Sequence, residues 1–285
     1  MRILIFDGAP QAAQDRIVAH GGARNGKLFT DALARHTAEL EAVTVNVADG
    51  ERLPQGLSVG DFDGVTVSGS PLNIYDRTPA VTRQLDLARE IFDAGVPVWG
   101  SCWGLQLMST VLGGHVRLNP RGRELGFARN IARTDAGRGH WLLDGKALAF
   151  DALCSHIDEV DRIPDGARVL ASNGRSEVQA LEFERDGGSF VGVQYHPEHG
   201  FAHTAAIIDA RRDVLVREGA ARAEADLDPV LADMRALDAD PGRTDAAWRL
   251  GLDEQVLDPA LRTAEFGNWL RRHVAPRRSR RSAAT

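Results

Sequence analysis

The residue best placed for nucleophilic chemistry is Cys102, which stands between two glycines just after a short apolar run. The run from Val96 to Trp99 predicts a buried strand, and the residues that follow predict a helix to Leu112. A strand that passes into a helix through Gly-x-Cys-x-Gly is typical of a nucleophile elbow, because glycines permit a tight turn and close approach. The helix N-terminus beside the sulfur would favour the thiolate. A small buried cysteine is the alternative, and the flanking glycines favour the nucleophile.

A cysteine nucleophile needs a base, and the base needs an orienting group. His196 follows the predicted last strand, 190–194, and is the best placed of the nine histidines. Glu198 lies two residues further on, where its carboxylate can accept the imidazole N–H and fix the tautomer. A surface histidine is the alternative. The stiff Pro197 between the two residues favours the catalytic interpretation.

Thioester chemistry also requires N–H donors for a developing oxyanion. The turn after a third predicted strand, 63–68, offers the amide of Gly69 or Ser70. Trp103 offers a second amide directly after the nucleophile. We therefore predict an oxyanion site formed by Gly69 and Trp103.

The elements around these residues alternate between strand and helix in the first 114 residues. Apolar runs predict strands, and helical spacing with Thr78-Pro79 as a start signal predicts helices. The strands are expected at 2–6, 43–47, 63–68 and 96–99, and the helices at 27–40, 79–95 and up to 112. This order predicts an α/β fold with an open, mainly parallel sheet and helices on both faces. Further strands are expected to meander at one edge, at 127–132, 168–172, 178–183 and 190–194, before a helix over 203–217.

Composition excludes several classes of protein. The 285 residues are 43% hydrophobic and 26% charged, which indicates a globular chain and not a disordered or fibrous one. No apolar run approaches the length of a membrane span, and the two cysteines exclude a disulfide framework and a four-cysteine zinc site. We therefore expect a cytoplasmic protein that binds no metal, and no nucleotide motif predicts a cofactor.

Charge is distributed unevenly along the chain. The net charge of the chain is −6. The last 15 residues contain six arginines and no acid, so the other 270 residues carry a net charge of −12. An acidic body makes nucleic acid an unlikely partner. We expect a catalytic domain over 1–218, a helical extension over 219–275 and a disordered basic tail over 276–285. The extension is expected to pack against the body, with a docking face for a partner as the alternative.

Five segments together resemble the class I (triad) glutamine amidotransferase family, most closely the amidotransferase domain of GMP synthetase. They are DGVTVSGSPLNIYD, PVWGSCWGLQLMSTVLGG, NPRGRELG, CSHIDEV and VGVQYHPEH. The resemblance implies a flavodoxin-like fold. It also implies that Cys102 attacks a γ-carboxamide, that His196 protonates the leaving amine and later activates water, and that Glu198 orients His196.

The resemblance also implies substrate contacts. Gln106 matches the residue that holds the α-amino acid end of glutamine, and Ser155 and His156 match positions in the same pocket. Ser70 replaces the usual second glycine of Gly-Gly-Pro, where it would contact the substrate or crowd the turn. Trp103 replaces a smaller residue or tyrosine and would form a wall of the pocket.

The substrate implied is L-glutamine or another γ-glutamyl amide. No synthetase domain follows, so a separate synthetase subunit is expected to accept the ammonia, and a homodimer is a further option. Two alternatives remain: a stand-alone hydrolase of γ-glutamyl amides or peptides, and a non-catalytic regulatory protein on the same fold.

Overall fold

A nine-stranded mixed sheet forms the centre of the computed structural model, which describes residues 1–284, with side chains up to 283. Its strand order is β2-β1-β3-β4-β11-β10-β9-β6-β7, and β5 and β8 form a separate antiparallel pair. The strands are β1 (Arg2–Asp7), β2 (Glu41–Asn46), β3 (Gly64–Val67), β4 (Val98–Ser101), β5 (His115–Leu118), β6 (Glu124–Arg133), β7 (Ala149–His156), β8 (Asp158–Arg162), β9 (Arg168–Ser172), β10 (Ala180–Arg185) and β11 (Gly188–Val193).

The first five strands of that order are parallel, and the other four pair antiparallel. β4 lies between β3 and β11, with Gly100 level with Val67 and Ser101 level with Val193. The three strands therefore end at the same edge of the sheet. The residues that follow them are brought together there, as is usual for ligand sites in open α/β sheets.

Twelve helices surround the sheet within residues 1–284. They are α1 (Gln11–Ala19), α2 (Asn25–Ala34), α3 (Pro79–Asp93), α4 (Trp103–Val111), α5 (Phe201–Asp209), α6 (Arg212–Arg217), α7 (Asp228–Ala239), α8 (Thr244–Leu250), α9 (Glu254–Leu257), α10 (Pro259–Arg262), α11 (Ala264–Trp269) and α12 (Ala275–Ala284), with one π-helical turn at Leu270–Val274.

Both faces of the sheet are covered, as predicted. In β1, Leu4 and Phe6 join one apolar core, whereas Ile3 and Ile5 join the other. This alternation is expected of a parallel strand that is buried on both sides. No helix among the described residues is long and apolar enough to cross a membrane.

The predicted helix over 203–217 is interrupted in the structure. α5 ends at Asp209, α6 begins at Arg212, and Arg211 between them has non-helical dihedral angles, φ −126° and ψ 18°. The interruption turns the backbone at Arg211, which is relevant to the site described below.

The C-terminal extension completes the core of the catalytic domain. The ring centroids of Trp99 in β4 lie 4.4 Å from Phe266 and 6.3 Å from Trp269, both in the extension. Phe266 and Trp269 are almost completely buried. The boundary predicted at residue 219 therefore does not separate two independent cores.

The basic tail is helical and not disordered as predicted. α12 spans Ala275–Ala284, while Thr285 lies outside the described residues. Arg277 donates to the backbone oxygens of Phe62 (3.2 Å) and Gly95 (2.9 Å), and Arg281 donates to Asp63 (2.8 Å). Hydrogen bonds to the acidic body of the protein thus fix these arginines, although composition alone indicated a disordered tail.

Candidate active site

Cys102 lies at the sharp turn between β4 and α4. Its φ of 51° and ψ of −98° are unfavourable for a non-glycine residue, and such conformations cost about 1–3 kcal/mol. The backbone N–H of Cys102 donates to the oxygen of Val193 at 2.7 Å, which fixes the turn against β11. A Cβ on Gly104 would lie 2.5 Å from the oxygen of Val67, so only glycine permits this approach. The predicted elbow is therefore present.

The side chain of Cys102 is 5% exposed and borders a cavity. Its Sγ donates to the backbone oxygen of Ser155 at 3.6 Å. α4 begins at the next residue, so the positive end of the helix dipole lies beside the sulfur.

His196 and Glu198 form a short hydrogen bond at the end of β11. Nδ1 of His196 lies 2.7 Å from Oε1 of Glu198, and because a carboxylate only accepts, Nδ1 carries the proton. Burial opposes the charged ring, but the Glu198 carboxylate and the hydrogen bond with Cys102 raise the pKa of His196 to about 10. The imidazole is therefore held as an imidazolium at neutral pH.

Glu198 is fixed by a second hydrogen bond on its other oxygen. Ser101 Oγ donates to Oε2 of Glu198 at 2.9 Å, and Nε1 of Trp99 donates to Ser101 Oγ at 3.0 Å. All three side chains are buried. The strand that carries the nucleophile therefore also orients the carboxylate.

Two further histidines lie against His196. The ring of His199 stacks on it with centroids 3.8 Å apart, and His203 packs edge-on to His199 at 4.4 Å. Burial and the charge on His196 lower the pKa of His203 to about 3 and that of His199 well below its usual value. The cluster therefore contains one charged ring and two neutral ones.

Metal ligation by this cluster would compete with the Cys-His-Glu arrangement. Ligand atoms of His196, Glu198 and His199 lie within 4.8 Å of one another. However, the nearest of them already form the 2.7 Å hydrogen bond that orients His196. A metal there would remove that bond, so the arrangement suits acid–base chemistry better.

The predicted oxyanion turn lies directly beside His196. A Cβ on Gly69 would lie 2.7 Å from Cε1 of His196, so the turn requires glycine. The Gly69 oxygen accepts from Nδ2 of Asn25 at 3.3 Å. Within residues 1–284, the backbone N–H groups of Gly69 and Trp103 have no hydrogen-bond acceptor, which leaves both available to a ligand.

The side chain of Trp103 does not form a wall of the pocket, contrary to our expectation. It is completely buried in the core, and its Nε1 donates to Oε1 of Gln84 at 2.7 Å. A Cβ on Gly8 would lie 2.7 Å from the indole, which shows how tightly the ring is enclosed. Trp103 is the first residue of α4, and its side chain points into the core from there.

A cavity that is partly open to solvent lies in front of Cys102. One part of its lining follows the strand ends at this edge of the sheet, and another part comes from α1, α5 and the turn after α5. Its polar lining is formed by Gln14, Arg16, Asn25, Gly69, Ser70, Cys102, Ser155, His196, His199, His203 and Arg211, and its apolar lining by Ala9, Ala13, Ile17, Ala23, Pro71, Ile207 and Ala210.

Of the predicted substrate contacts, the structure brings Ser70 and Ser155 to the cavity. Gln106 is buried and does not line the cavity, and its Nε2 donates to the backbone oxygen of Asp158 at 3.2 Å. His156 is also buried away from the cavity and bonds to Glu124 at 2.9 Å. Both side chains are occupied by protein partners, so the resemblance that placed them at the substrate is not matched by this geometry.

Most of the cavity lining was not predicted from the sequence, including its polar residues Gln14, Arg16, Asn25, His199, His203 and Arg211. His199 is three residues after His196 and could have been suspected from that proximity. Asn25 and Arg211 come from distant segments with no motif around them, so nothing in the sequence pointed to them.

Comparison with known proteins is consistent with this geometry. The family model for glutamine amidotransferase class-I matches residues 23–208. A γ-glutamyl-L-1-hydroxyisopropylamide hydrolase from a Pseudomonas species is 34% identical over 222 residues, which are 77% of this chain and 75% of that protein. The GMP synthase of Leifsonia xyli subsp. xyli is 37% identical over 159 residues, 52% of this chain but only 30% of the synthase.

A crystal structure of a glutamine amidotransferase from Thermotoga maritima has the same fold. The TM-score is 0.67 at 18% identity, with 96% of this chain and 98% of that chain covered. The extent of the family match and the hydrolase relative establish that the chain is a member of the class I glutamine amidotransferase family.

Proposed function

We propose that the protein hydrolyses a γ-glutamyl amide with Cys102 as nucleophile, His196 as acid and base, and Glu198 as the orienting group. The observation that carries this proposal is the 2.7 Å bond between His196 and Glu198 at the same sheet edge as a strained, cavity-facing cysteine. A regulatory protein on this fold would not require these three groups in that arrangement.

The reaction begins when the Cys102 thiolate attacks the carbonyl carbon of the γ-carboxamide. A carbon–sulfur bond forms, and the carbonyl electron pair moves to oxygen, where the free N–H groups of Gly69 and Trp103 stabilise the charge. The His196 imidazolium then gives its proton to the amide nitrogen. The carbon–nitrogen bond breaks, ammonia or an amine leaves, and a γ-glutamyl thioester remains.

Hydrolysis of the thioester reverses the role of His196. The neutral ring takes a proton from a water molecule, whose oxygen attacks the thioester carbon. The carbon–sulfur bond breaks, glutamate leaves, and the proton on His196 restores the imidazolium–thiolate pair. Glu198 stabilises the charged ring whenever it forms, as its effect on the pKa of His196 indicates.

L-Glutamine is the simplest substrate, and the ammonia would then pass to a separate synthetase subunit. In that case addition of the synthetase should raise the glutaminase rate. A homodimer is compatible with this proposal and does not supply a catalytic residue in it.

Substituted γ-glutamyl amides are a second candidate substrate class. The apolar residues of the cavity lining favour them. Ala13, Ile17 and Ile207 offer an alkyl substituent an apolar surface that ammonia would not use. The relative from Pseudomonas, by its name, acts on such an amide. The two candidates differ only in the leaving amine.

Steady-state release of ammonia or amine, with glutamate measured in parallel, tests the proposed chemistry. Cys102→Ala should reduce turnover to background, whereas Cys154→Ala should retain it because Cys154 is buried in β7. Iodoacetamide should label Cys102 and leave Cys154 unmodified, since burial raises the pKa of that second thiol. Full turnover by Cys102→Ala would refute the assignment.

A substrate panel separates the two candidates. L-Glutamine, γ-glutamyl isopropylamide and a γ-glutamyl dipeptide are compared by kcat/KM, without any partner protein. A preference for the isopropylamide supports the stand-alone hydrolase. If glutamine is hydrolysed fastest, the substituted amides are excluded as the main substrates.

A further inference from the structure

Arg211 is placed at the cavity by the interruption between α5 and α6. Its guanidinium lines the cavity, and Nη1 donates to Oγ of Ser155 at 3.2 Å. The backbone oxygen of the same serine accepts the hydrogen bond from Cys102. Ser155 therefore connects Arg211 to the nucleophile through two hydrogen bonds.

The neighbouring arginines are paired with acids, whereas Arg211 is not. Arg212 contacts Asp209 at 2.6 Å, and Arg123 forms a bidentate pair with Glu218. Within the described part of the chain, Arg211 makes no ion pair, and no aspartate or glutamate lines the cavity. Burial lowers the pKa of Arg211, so its charge is not fully compensated within the protein.

A second cation adds to the same field. Arg16 of α1 lies at the cavity, is exposed, and has no ion pair or side-chain hydrogen bond within residues 1–284. A partly buried guanidinium and an exposed one at the same cavity, whose lining contains no aspartate or glutamate, together favour an anionic ligand group.

Given the proposed hydrolysis of a γ-glutamyl amide, we propose that Arg211 is the residue that binds the α-carboxylate of the γ-glutamyl group. The guanidinium fork matches a carboxylate in geometry and charge. The γ-carboxamide then reaches Cys102 past Ser155, which hydrogen bonds to both side chains. Arg211 thereby makes hydrolysis depend on a carboxylate four bonds from the reacting carbon.

Arg211 and α1 lie outside the part of the chain that the family model matches. The family match ends at residue 208 and begins at 23, so Arg211 and the whole of α1 lie outside it. The strand-end part of the cavity lining lies inside the matched range, and the part from α1, α5 and the turn after α5 lies mostly outside it. The feature that selects the substrate therefore does not follow from the family motif.

Two amides that differ only in this carboxylate test the assignment: L-glutamine and 4-aminobutanamide. The isopropylamides that correspond to these two compounds, γ-glutamyl isopropylamide and 4-aminobutanoyl isopropylamide, form a second pair. This pair is used if the panel shows that substituted amides are preferred. Arg211→Gln should lower kcat/KM for the carboxylate-bearing amide by about 10- to 100-fold, the range for hydrogen bonds to charged groups. The amide without the carboxylate should change by less than about threefold. Arg211→Lys should recover part of the lost preference because it retains the charge.

Arg217→Gln is the matched control, since Arg217 is exposed on α6 and pairs with Asp213 outside the cavity. It should leave both rates unchanged. An equal loss on both amides in Arg211→Gln would overturn the assignment and indicate a structural role. A wild-type enzyme that hydrolyses none of the four amides would instead overturn the proposed function. Iodoacetamide labelling of Cys102 and the melting temperature show whether the variant is folded.

Discussion

Glu198→Gln is the substitution that tests the proposed chemistry most directly. The change keeps the size and position of the side chain but removes the charge that lies 2.7 Å from His196. The amide oxygen can still accept from Nδ1 of His196, and the amide NH2 group can donate to Oγ of Ser101, so the local packing should persist. What changes is the stability of the imidazolium that the proposed mechanism requires.

The magnitude follows from the pKa of His196, which is raised from 6.5 to about 10 although burial opposes the charged ring. This difference corresponds to about 5 kcal/mol in favour of the charged ring. Glu198 and Cys102 share this effect, and Glu198 makes the larger favourable contribution. If Glu198→Gln removes about half, the imidazolium loses about 2.5 kcal/mol. The hydrolysis step, in which the neutral ring becomes charged, should then slow by about 70-fold and lower kcat accordingly.

The pH profile gives the sharper readout. Formation of the thioester requires the protonated His196, so in the wild type the alkaline limb of kcat/KM should lie near pH 10. In Glu198→Gln it should move down by about two pH units, the same energy expressed as a pKa. An alkaline limb that does not move would refute the role of Glu198. Glu177→Gln, a change of an exposed glutamate, serves as the control.

Stability should depend on pH in the same sense. Because the folded pKa of His196 is raised, its contribution to stability is fully present below pH 6.5 and is lost as pH rises through about 10. The difference in unfolding free energy between wild type and Glu198→Gln should therefore shrink over that interval. A difference that grows with pH would contradict the assigned charge state.

Two further substitutions test the structure around the site. Gly69→Ala should lower kcat by about 100-fold, because its Cβ would lie 2.7 Å from Cε1 of His196 and displace the ring, and steady-state turnover measures it. Lys146→Met should lower the free energy of unfolding by about 3 kcal/mol in urea titrations. It leaves the carboxylate of Glu265, which is 3.5 Å from Lys146, buried without its cation.

Each of these substitutions has a control in the same chain. Gly174→Ala adds its methyl group to open space and should leave kcat unchanged. Lys27→Met removes an exposed lysine that pairs with Asp31 and should cost less than about 0.5 kcal/mol. Equal effects in test and control would contradict the stated causes. Glu265→Gln added to Lys146→Met should recover part of the lost stability.

The catalytic edge could be predicted from the sequence because its signals are local. The glycines around Cys102, and the proline between His196 and Glu198, determine the backbone close to each functional side chain. The strand ends then bring these segments together, since parallel neighbours end at one edge. The same local reasoning predicted α3 from its Thr78 cap, its apolar face and the glycine after it.

The parts that could not be predicted depend on contacts between distant residues. The basic tail forms a helix because Arg277 and Arg281 meet acceptors near residues 62, 63 and 95. Trp269 is buried because it packs against Trp99 in one of the two apolar cores that cover the sheet. Neither contact has a signal in the surrounding sequence, so composition suggested a disordered tail and a separate extension.

The cavity therefore has two sides that differ in how the chain specifies them. The reactive side is built from strand ends within residues 23–208, where the family model matches. The other side comes mainly from α1 and from the interruption that places Arg211 at the cavity, both outside that range, and α5 adds residues from within it. A substitution in α1 or at residue 211 can change which amide is bound while the bond between His196 and Glu198 remains intact. Specificity in this chain should accordingly vary through α1 and residue 211, with the chemistry at Cys102 unchanged.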